Sequence, residues 1–185
     1  NNTNIYIPNP PQKLIENTKQ QEEFIKEALL PELSGLYNSQ NNKPIIRYFE
    51  GKDDLKEIFE EVLESKDKEV YGFASTKKLF SLYPDYFETY FQKQLVKREI
   101  FLQDILSHSS GVSVAKEAEK NAHPYYSYRV IDEKHDDILS NILVWDDKVA
   151  VMVLDDPLFG TITKDQRLAD TYRLQLKLIW NSLKK

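Results

Sequence analysis

A chain of 185 residues with 41% hydrophobic and 12% aromatic residues is long enough to bury one sizeable core. It contains no cysteine, which excludes disulfides and thiolate metal sites, and its net charge of −5 disfavours direct binding to a phosphate backbone. No apolar run approaches the length of a membrane-spanning helix, and the first residues lack the basic and apolar stretches of a signal peptide, so we expect a cytoplasmic protein that does not bind membranes.

Residues 1–42 are predicted to form a helical linker arm. The segment KLIENTKQQEEFIKEALLPELSGLYNSQ is typical of a polar helix with a thin apolar seam, formed by Leu14, Ile15, Ile25, Ala28 and Leu29. Thr18 and Gln21 interrupt the seam where a strong coiled coil would place leucines. Pro31 is expected to break or restart the helix, and the stretch NSQNNKP is expected to be a loop.

Residues 43–185 are predicted to form one α/β domain built on a mixed β-sheet flanked by helices. Seven apolar runs indicate strands, namely PIIRYFE, EVYGFAS, REIFLQDIL, YYSYRVID, NILVWDD, KVAVMVLDD and LFGTITK. The fifth and sixth are predicted to form a hairpin. The stretch SHSSGVSVAKEAEKNAHP, between the third and fourth runs, is interpreted as a polar connection.

Helical spacing of apolar residues follows the first strand, at Leu55, Ile58, Phe59, Val62 and Leu63. An aromatic helix is expected around LFSLYPDYFETYFQKQLVK. The last helix is predicted to begin at a capping box from Thr163 to Gln166. One of its faces is expected to be buried, through Leu168, Tyr172, Leu176, Ile179, Trp180 and Leu183.

Few residues have the spacing that chemistry requires. His108 lies beside serines in LSHSSG, which suits either a nucleophile with its base or a polar loop, and we favour the loop. His123, His135, Asp136 and Asp137 lack the HExxH spacing of a zinc site. The glycine-rich phosphate motifs are absent, so we expect no cofactor and no metal. The aromatic residues of LYPDYFETYF and HPYYSYR could stack on bases or sugars, but such spacing is more typical of a core.

Two strand ends are candidate ligand positions, because open α/β sheets bind ligands where strands give way to helices. Glu50 and Gly51 stand at the end of the first strand, although a plain turn before the helix would use the same residues. Ser75 has the same position after the second strand, where it could equally be a helix N-cap. Gly72, within that strand, permits close approach of another group.

The segments KPIIRYFEGKDDLKEIFEEVLES, EVYGFAS, NILVWDDKVAVMVLDD and DTYRLQLKLIWNSL together resemble the C-terminal part of the TrmB-like transcriptional regulators. The segment LLPELSGLY is similar to the end of that family's linker helix. The resemblance implies a phospholipase-D-like fold, a small-molecule effector such as a sugar or polyol, a homodimer, and DNA binding through a winged helix-turn-helix domain ahead of the linker. No such domain is recognisable in this sequence, so we expect a fragment of a longer regulator.

Phospholipase D enzymes carry an HxKxxxxD motif, whose histidine attacks phosphorus and whose lysine holds the phosphate oxygens. Aligned on the turn between the hairpin strands, Leu139 takes the histidine place, Asn141 the lysine place and Asp146 the aspartate place. Leucine cannot attack phosphorus and asparagine has no positive charge. We therefore expect the chain not to be an enzyme, and the hairpin to be a scaffold.

The predicted ligand site comprises Glu50, Ser75, Tyr71, Leu139 and Asn141. A neutral hydroxylated molecule is expected there, since the motif's lysine is missing and Glu50 would repel an anion. Two alternatives stay open. One is a diverged phosphodiesterase or nuclease with a replacement nucleophile near Asn141, and the other is a structural interaction module whose pocket is filled by side chains.

Overall fold

The computed structural model describes residues 12–40, 43–131, 138 and 140–183, with the side chains of residues 14 and 36–40 outside the description. The chain divides into two compact units, one up to Lys43 and one from Pro44 onward. No described helix has both the length and the apolar character that crossing a membrane requires.

The arm is helical through the predicted segment. Helix α1 spans Gln12–Phe24, a π-helical turn spans Ile25–Leu29, and helix α2 spans Leu30–Gln40. Pro31 therefore does not break the helix. In a regular α-helix a proline clashes with the carbonyl four residues before it. Here a wider π-helical turn lies just before Pro31, and in it the N–H of Leu30 bonds to Ile25. The wider turn accommodates the proline ring.

The arm exposes large apolar side chains along its length. Ile15 is 62% exposed, Phe24 60%, Leu30 49% and Leu33 55%. Isolated helices gain most of their stability from packing an apolar face. The described arm therefore presents an exposed apolar surface.

The second unit contains a seven-stranded mixed sheet, as predicted. Its strands are β1 (Ile45–Glu50), β2 (Glu69–Phe73), β3 (Phe101–Ser107), β4 (Tyr126–Ile131), β5 (Ser140–Trp145), β6 (Lys148–Val153) and β7 (Phe159–Lys164). The order across the sheet is β1-β7-β6-β5-β2-β3-β4. β2, β3 and β4 are parallel, and every other pairing is antiparallel.

These pairings bring seven strand termini to one edge of the sheet. β1, β6, β2, β3 and β4 end there, while β5 and β7, which run the opposite way, begin there. We call this the carboxyl edge. It includes the end of β1 at Glu50, the turn after β2 that contains Ser75, the end of β3 at Ser107 and Asn141, the second residue of β5.

Helices cover both faces of the sheet. On one face lie α3 (Gly51–Val62), α4 (Thr76–Leu82), α5 (Gln92–Arg98) and α6 (Val112–Ala122), which share one large core cluster with the strands. A π-helical turn at Tyr86–Phe91 leads into α5. On the other face α7 (Gln166–Ser182) packs on β6, β5 and β2.

Two sequence interpretations of the helices were wrong. The supposed polar connection after β3 contains a 3₁₀ turn at His108–Ser110 and the whole of α6. Its buried side chains are small, so its apolar signal is weak; they are Ala115, Ala118 and Ala122. The last helix starts later than the predicted box, because Thr163 belongs to β7 and Asp165 is the N-cap, accepting the N–H of Leu168 at 3.1 Å. Its predicted apolar face does pack on the sheet.

Candidate functional site

The carboxyl edge brings Ser75 and Asn141 together. The side-chain oxygen of Asn141 accepts the backbone N–H of Ser75 at 2.9 Å. Asn141 is 1% exposed and Ser75 4% exposed, so this hydrogen bond is shielded from water. Asn141 thus fastens the turn between β2 and α4 to the start of β5.

The amide nitrogen of Asn141 is buried and has no hydrogen-bond partner among the described residues. It is a donor, whereas the lysine that occupies this place in the enzyme motif is a cation. Leu139, at the histidine place, lies outside the described residues. The described part of the hairpin thus supplies one neutral amide at the position of the phosphate clamp.

Asp146, at the aspartate place of the motif, lies at the opposite end of β5 from Asn141. Its Oδ1 accepts three hydrogen bonds from the loop after α3, from Ser65 Oγ at 3.0 Å, Lys66 N at 2.9 Å and Asp67 N at 3.1 Å. A carboxylate that accepts several N–H and O–H groups orders the segment that donates them. In this fold Asp146 is a structural residue of the hairpin turn.

Glu50 is distant from Asn141 on the same edge. It aligns with Phe159 of β7, then with Val153 of β6, then with Ser140 of β5. Three strand spacings of about 4.8 Å separate β1 from β5 by roughly 14 Å. The Glu50 side chain is exposed, and the sheet order places it at a distance from Asn141.

Tyr71 lies on the other face of the sheet from Asn141. It packs against α7, its hydroxyl donates to Glu69 at 2.9 Å, and Lys177 lies 5.0 Å from its ring centroid. Burial, followed by the bond to Glu69, raises the pKa of the Tyr71 hydroxyl well above its usual value. The structure thus unites Ser75 with Asn141 and separates Glu50 and Tyr71 from them, while ligand binding at these residues stays a prediction.

The turn His108–Ser110 at the end of β3 is stabilised by hydrogen bonds of serine hydroxyls. Ser107 N donates to Ser110 Oγ at 3.0 Å, and the two serine hydroxyls are hydrogen bonded to each other. Thr76 Oγ1, at the start of α4, donates to the carbonyl of Ser110 at 2.8 Å. The serine hydroxyls of this loop therefore form a capping box, and the Thr76 hydroxyl joins the loop to the start of α4.

The aromatic residues that could have stacked on bases are mostly core residues. Phe87, Phe91 and Tyr126 are each at most 5% exposed, and the rings of Phe87 and Phe91 lie 5.2 Å apart. The interpretation that these segments pack in the interior is confirmed for these three residues.

Sequence reasoning missed Asp104 on β3. This residue is 4% exposed and lies on the face of the sheet that carries the large core cluster. Burial raises the pKa of its carboxyl to about 7, while interaction with the Tyr126 hydroxyl lowers this pKa by a smaller amount. The available signal was one acidic residue inside the apolar run IFLQDIL. Charged residues are rarely buried without a partner, so Asp104 is a candidate functional residue.

No group of three or more His, Asp or Glu side chains that could hold a metal occurs among the described residues. His135, Asp136 and Asp137, which the sequence analysis considered, lie outside them.

No protein-family model matches the sequence, and no curated protein matches it. Among solved structures the chain is similar to TrmBL2, an archaeal chromatin protein whose structure shows a novel mode of DNA binding. The TM-score is 0.53 at 14% identity, over 94% of this chain and 66% of TrmBL2. This chain thus spans 66% of the length of TrmBL2.

Two further solved structures are similar over the sheet domain. Nuc from Salmonella typhimurium, a phospholipase D family member, gives a TM-score of 0.52 at 10% identity, over 77% of this chain and 97% of Nuc. NucT from Helicobacter pylori gives 0.51 at 10% identity, over 76% of this chain and 98% of NucT. At these identities the likeness concerns the fold, and the chain has a phospholipase-D-like α/β fold.

Proposed function

We propose that this chain is the effector-sensing and dimerising region of a TrmB-like transcriptional regulator and that it has no catalytic activity. The observation that carries the proposal is the extent of the structural likeness. TrmBL2 aligns over 94% of this chain, whereas Nuc and NucT align over 77% and 76%. The regulator reading therefore accounts for the helical arm as well as for the sheet domain.

The hairpin supports the same proposal through what Asn141 does. Its side-chain oxygen accepts a hydrogen bond from the backbone N–H of Ser75. A phosphate clamp needs a positive charge directed at the substrate. A buried neutral amide that holds a turn in place fits a phospholipase-D-like fold without phosphodiesterase activity.

Self-association is assigned to the arm. Its exposed apolar residues are too numerous for a solvated helix, while Thr18 and Gln21 interrupt its seam. Weak dimerisation through Gln12 to Asn38 is the expected outcome. DNA would be contacted through a winged helix-turn-helix domain ahead of the arm, since the sequence itself carries a net charge of −5.

The effector is proposed to be a neutral hydroxylated molecule, a sugar or a polyol, bound near Ser75 and Asn141 at the carboxyl edge. Open α/β sheets bind ligands outside the carboxyl ends of their strands. The buried amide nitrogen of Asn141 is a donor without a partner among the described residues, so a hydroxyl oxygen could satisfy it after a small local movement.

Thermal shift with a panel of sugars, polyols and sugar phosphates tests this proposal. A hit should raise the melting temperature of the wild-type chain, and the rise should shrink in Asn141→Ala. Glu50→Gln is the matched control, because Glu50 lies three strands away and should leave the rise unchanged. A preference for sugar phosphates, or a rise untouched by Asn141→Ala, would contradict the assignment.

A diverged phosphodiesterase or nuclease is the second candidate, favoured by the matches that cover 97% of Nuc and 98% of NucT. This candidate predicts that the purified chain hydrolyses bis-p-nitrophenyl phosphate or DNA, with or without divalent metal. Activity that copurifies with the chain and disappears in Asn141→Ala or His108→Ala would establish this candidate. Under the regulator proposal, purified protein shows no turnover.

A further inference from the structure

Strand β1 forms one edge of the sheet. Among the described residues its one strand neighbour is β7, so the other side of its backbone has no strand partner there. An unpaired strand edge presents a row of N–H and C=O groups on which another strand can form. The groups that stay open on β1 therefore determine what it can pair with.

Two hydrogen bonds at the end of β1 show which way its backbone groups point. The N–H of Gly51 donates to the carbonyl just before β7 at 2.9 Å, whereas the N–H of Glu50 donates to the side chain of Asp54 at 3.3 Å. Backbone groups alternate in direction along an antiparallel strand, and the register of β1 with β7 is regular. The N–H and C=O groups of Ile46 and Tyr48 therefore point away from β7, like those of Glu50.

Both ends of this outer edge are closed. Pro44, which precedes the strand, has no N–H to donate. The outward N–H of Glu50 is already bonded to Asp54. The outward N–H groups that stay open along β1 are therefore those of Ile46 and Tyr48.

These open groups are complementary to those of a second copy. When two β1 strands pair antiparallel about a two-fold axis at Arg47, Ile46 of each copy lies opposite Tyr48 of the other, and each such pair can exchange both backbone hydrogen bonds. Pro44 then lies opposite Glu50, and neither of these positions has a free N–H. Every open outward N–H of both strands thus finds an acceptor.

The side chains of the open stretch fit the same pairing. Ile46 is 64% exposed and Tyr48 62%, and both lie on one face of the sheet. The ring of Tyr48 stacks on Phe159 of β7, with the centroids 6.2 Å apart. Pairs of an aromatic and a β-branched residue stabilise neighbouring strands. The two-fold arrangement forms this pair twice and extends the apolar strip across the axis.

Charge along the strand also favours an antiparallel arrangement. Exposed Lys43 precedes β1, whereas the stretch from Glu50 to Asp54, at its other end, contains three acidic residues and one lysine. Antiparallel pairing sets the basic start of each strand beside the acidic end of the other. Arg47 faces its own copy across the axis, and its ion pair with Glu61 reduces the repulsion.

We propose that β1 pairs with β1 of a second copy of this chain, antiparallel and centred on Arg47, so that the two sheets become continuous in a dimer. Stable interfaces bury about 1,200–2,000 Å² in total, and the open stretch Ile46–Tyr48 buries far less. The pairing therefore forms within the dimer assigned to the arm, and to that extent it rests on the proposed self-association. It gives the sheet domain an interface of its own.

Disulfide trapping in the full chain tests this register, since the sequence contains no cysteine. Arg47→Cys places two thiols in a non-hydrogen-bonded pair, with Cα atoms about 4.5 Å apart, which a disulfide can span. Lys97→Cys, exposed on α5, is the matched control for random collision. Under mild oxidation at micromolar concentration, Arg47→Cys should form the covalent dimer at least roughly tenfold faster than Lys97→Cys. Equal rates would overturn the proposal.

A second substitution tests the edge itself. Lysine on an edge strand disfavours pairing with another strand. Ile46→Lys, added to Arg47→Cys, should therefore slow the cross-link to the rate of Lys97→Cys. Circular dichroism should show the same folded signal for these variants, because both positions are exposed. A cross-link that Ile46→Lys leaves unchanged would overturn the pairing.

Sedimentation velocity of the same samples under reducing conditions separates this inference from the role of the arm. A full chain that dimerises but does not cross-link through Arg47→Cys would overturn the edge pairing and leave the arm as the dimer contact. A chain that stays monomeric and does not cross-link would overturn both. Dimerisation together with the rapid Arg47→Cys cross-link is the expected result.

Discussion

The carboxylate of Asp104 occupies the space that a side chain at position 72 would need. Gly72 of β2 and Asp104 of β3 are partners in the parallel register, and a Cβ atom built on Gly72 would lie far inside van der Waals contact with Asp104 Oδ1. A buried carboxylate fits in the middle of this sheet because its neighbour lacks a side chain.

Gly72→Ala should therefore destabilise the domain by about 1–3 kcal/mol, because either the carboxylate or the strand must move in a packed core. Urea unfolding measures the loss. Gly35→Ala, in the exposed helix α2 with no atom within 4 Å of the added Cβ, is the matched control and should be neutral or slightly stabilising. Asp104→Ala should recover part of the loss in the Gly72→Ala background, and strictly additive effects would contradict this explanation.

Asp104 should make the stability of the chain fall as pH rises. Its folded pKa of about 7 lies above the ordinary value of 3.8, so the folded state holds the proton more tightly than the unfolded state. The associated stability is complete below about pH 4 and is lost as pH rises to about 7, by a total of about 4 kcal/mol. The free energy of unfolding of wild type minus that of Asp104→Asn, followed from about pH 4 to pH 8, isolates this loss.

The control for the pH experiment is Asp85→Asn, which removes an exposed carboxylate in place of a buried one. A flat difference between wild type and Asp104→Asn across the same range would show that Asp104 is not protonated in the folded state.

Asn141→Ala should cost about 1–3 kcal/mol, because it leaves the buried N–H of Ser75 without its acceptor. Ser75→Ala should cost less than about 1 kcal/mol, since the hydrogen bond uses the backbone of Ser75 and its side chain does not cap α4. Chemical denaturation of both variants checks the order. A larger loss in Ser75→Ala than in Asn141→Ala would mean that the serine hydroxyl has the greater role.

Asp146→Ala should destabilise the domain by about 2–4 kcal/mol, because three donors from the loop after α3 lose one acceptor. The neighbouring Asp147→Ala removes a looser ion pair with Lys164, at 3.7 Å, and should cost less than about 1 kcal/mol. Hydrogen exchange should show the faster opening of Lys66 and Asp67 in Asp146→Ala alone. Equal effects of the two variants would contradict the structural role of Asp146.

The arm should hold two chains together weakly. Sedimentation velocity of the full chain should show concentration-dependent dimerisation in the micromolar range, and a version starting near Lys43 should remain monomeric. Phe24→Ser with Leu33→Ser removes two exposed apolar side chains and should weaken the dimer without affecting the sheet domain. Identical monomeric behaviour of the full and shortened chains would rule out this role.

The seven strands were predictable because each is an apolar run bounded by polar or turn residues, which is a local property. Helix α6 was not, because Ala115, Ala118 and Ala122 bury a face whose hydrophobic signal is weak. The fold class was predictable from the alternation of strands and helices. The boundary of α7 was missed because Thr163 suits both an N-cap and a strand.

The candidate site was less predictable because it depends on which strands become neighbours. Position in a strand places Glu50 and Ser75 at the same edge, but the order of the sheet puts two strands between β1 and β5. Because side chains alternate along a strand, Tyr71 and Gly72 belong to opposite faces of the sheet. This alternation does not say which of them shares a face with Asn141. Asp104 was visible in the sequence as a lone acidic residue in an apolar run, and its neighbour Gly72 was flagged for close approach.

The pairing of β1 with β7 has a consequence for how the domain is made. β1 is the first strand and lies at the edge of the sheet, where its partner is the last strand, β7. During synthesis β1, which carries the exposed apolar residues Ile46 and Tyr48, stays unpaired until nearly the whole domain has left the ribosome. Nascent chains halted before β7 has emerged from the ribosome should therefore depend more on chaperones than chains halted after Lys164 has emerged.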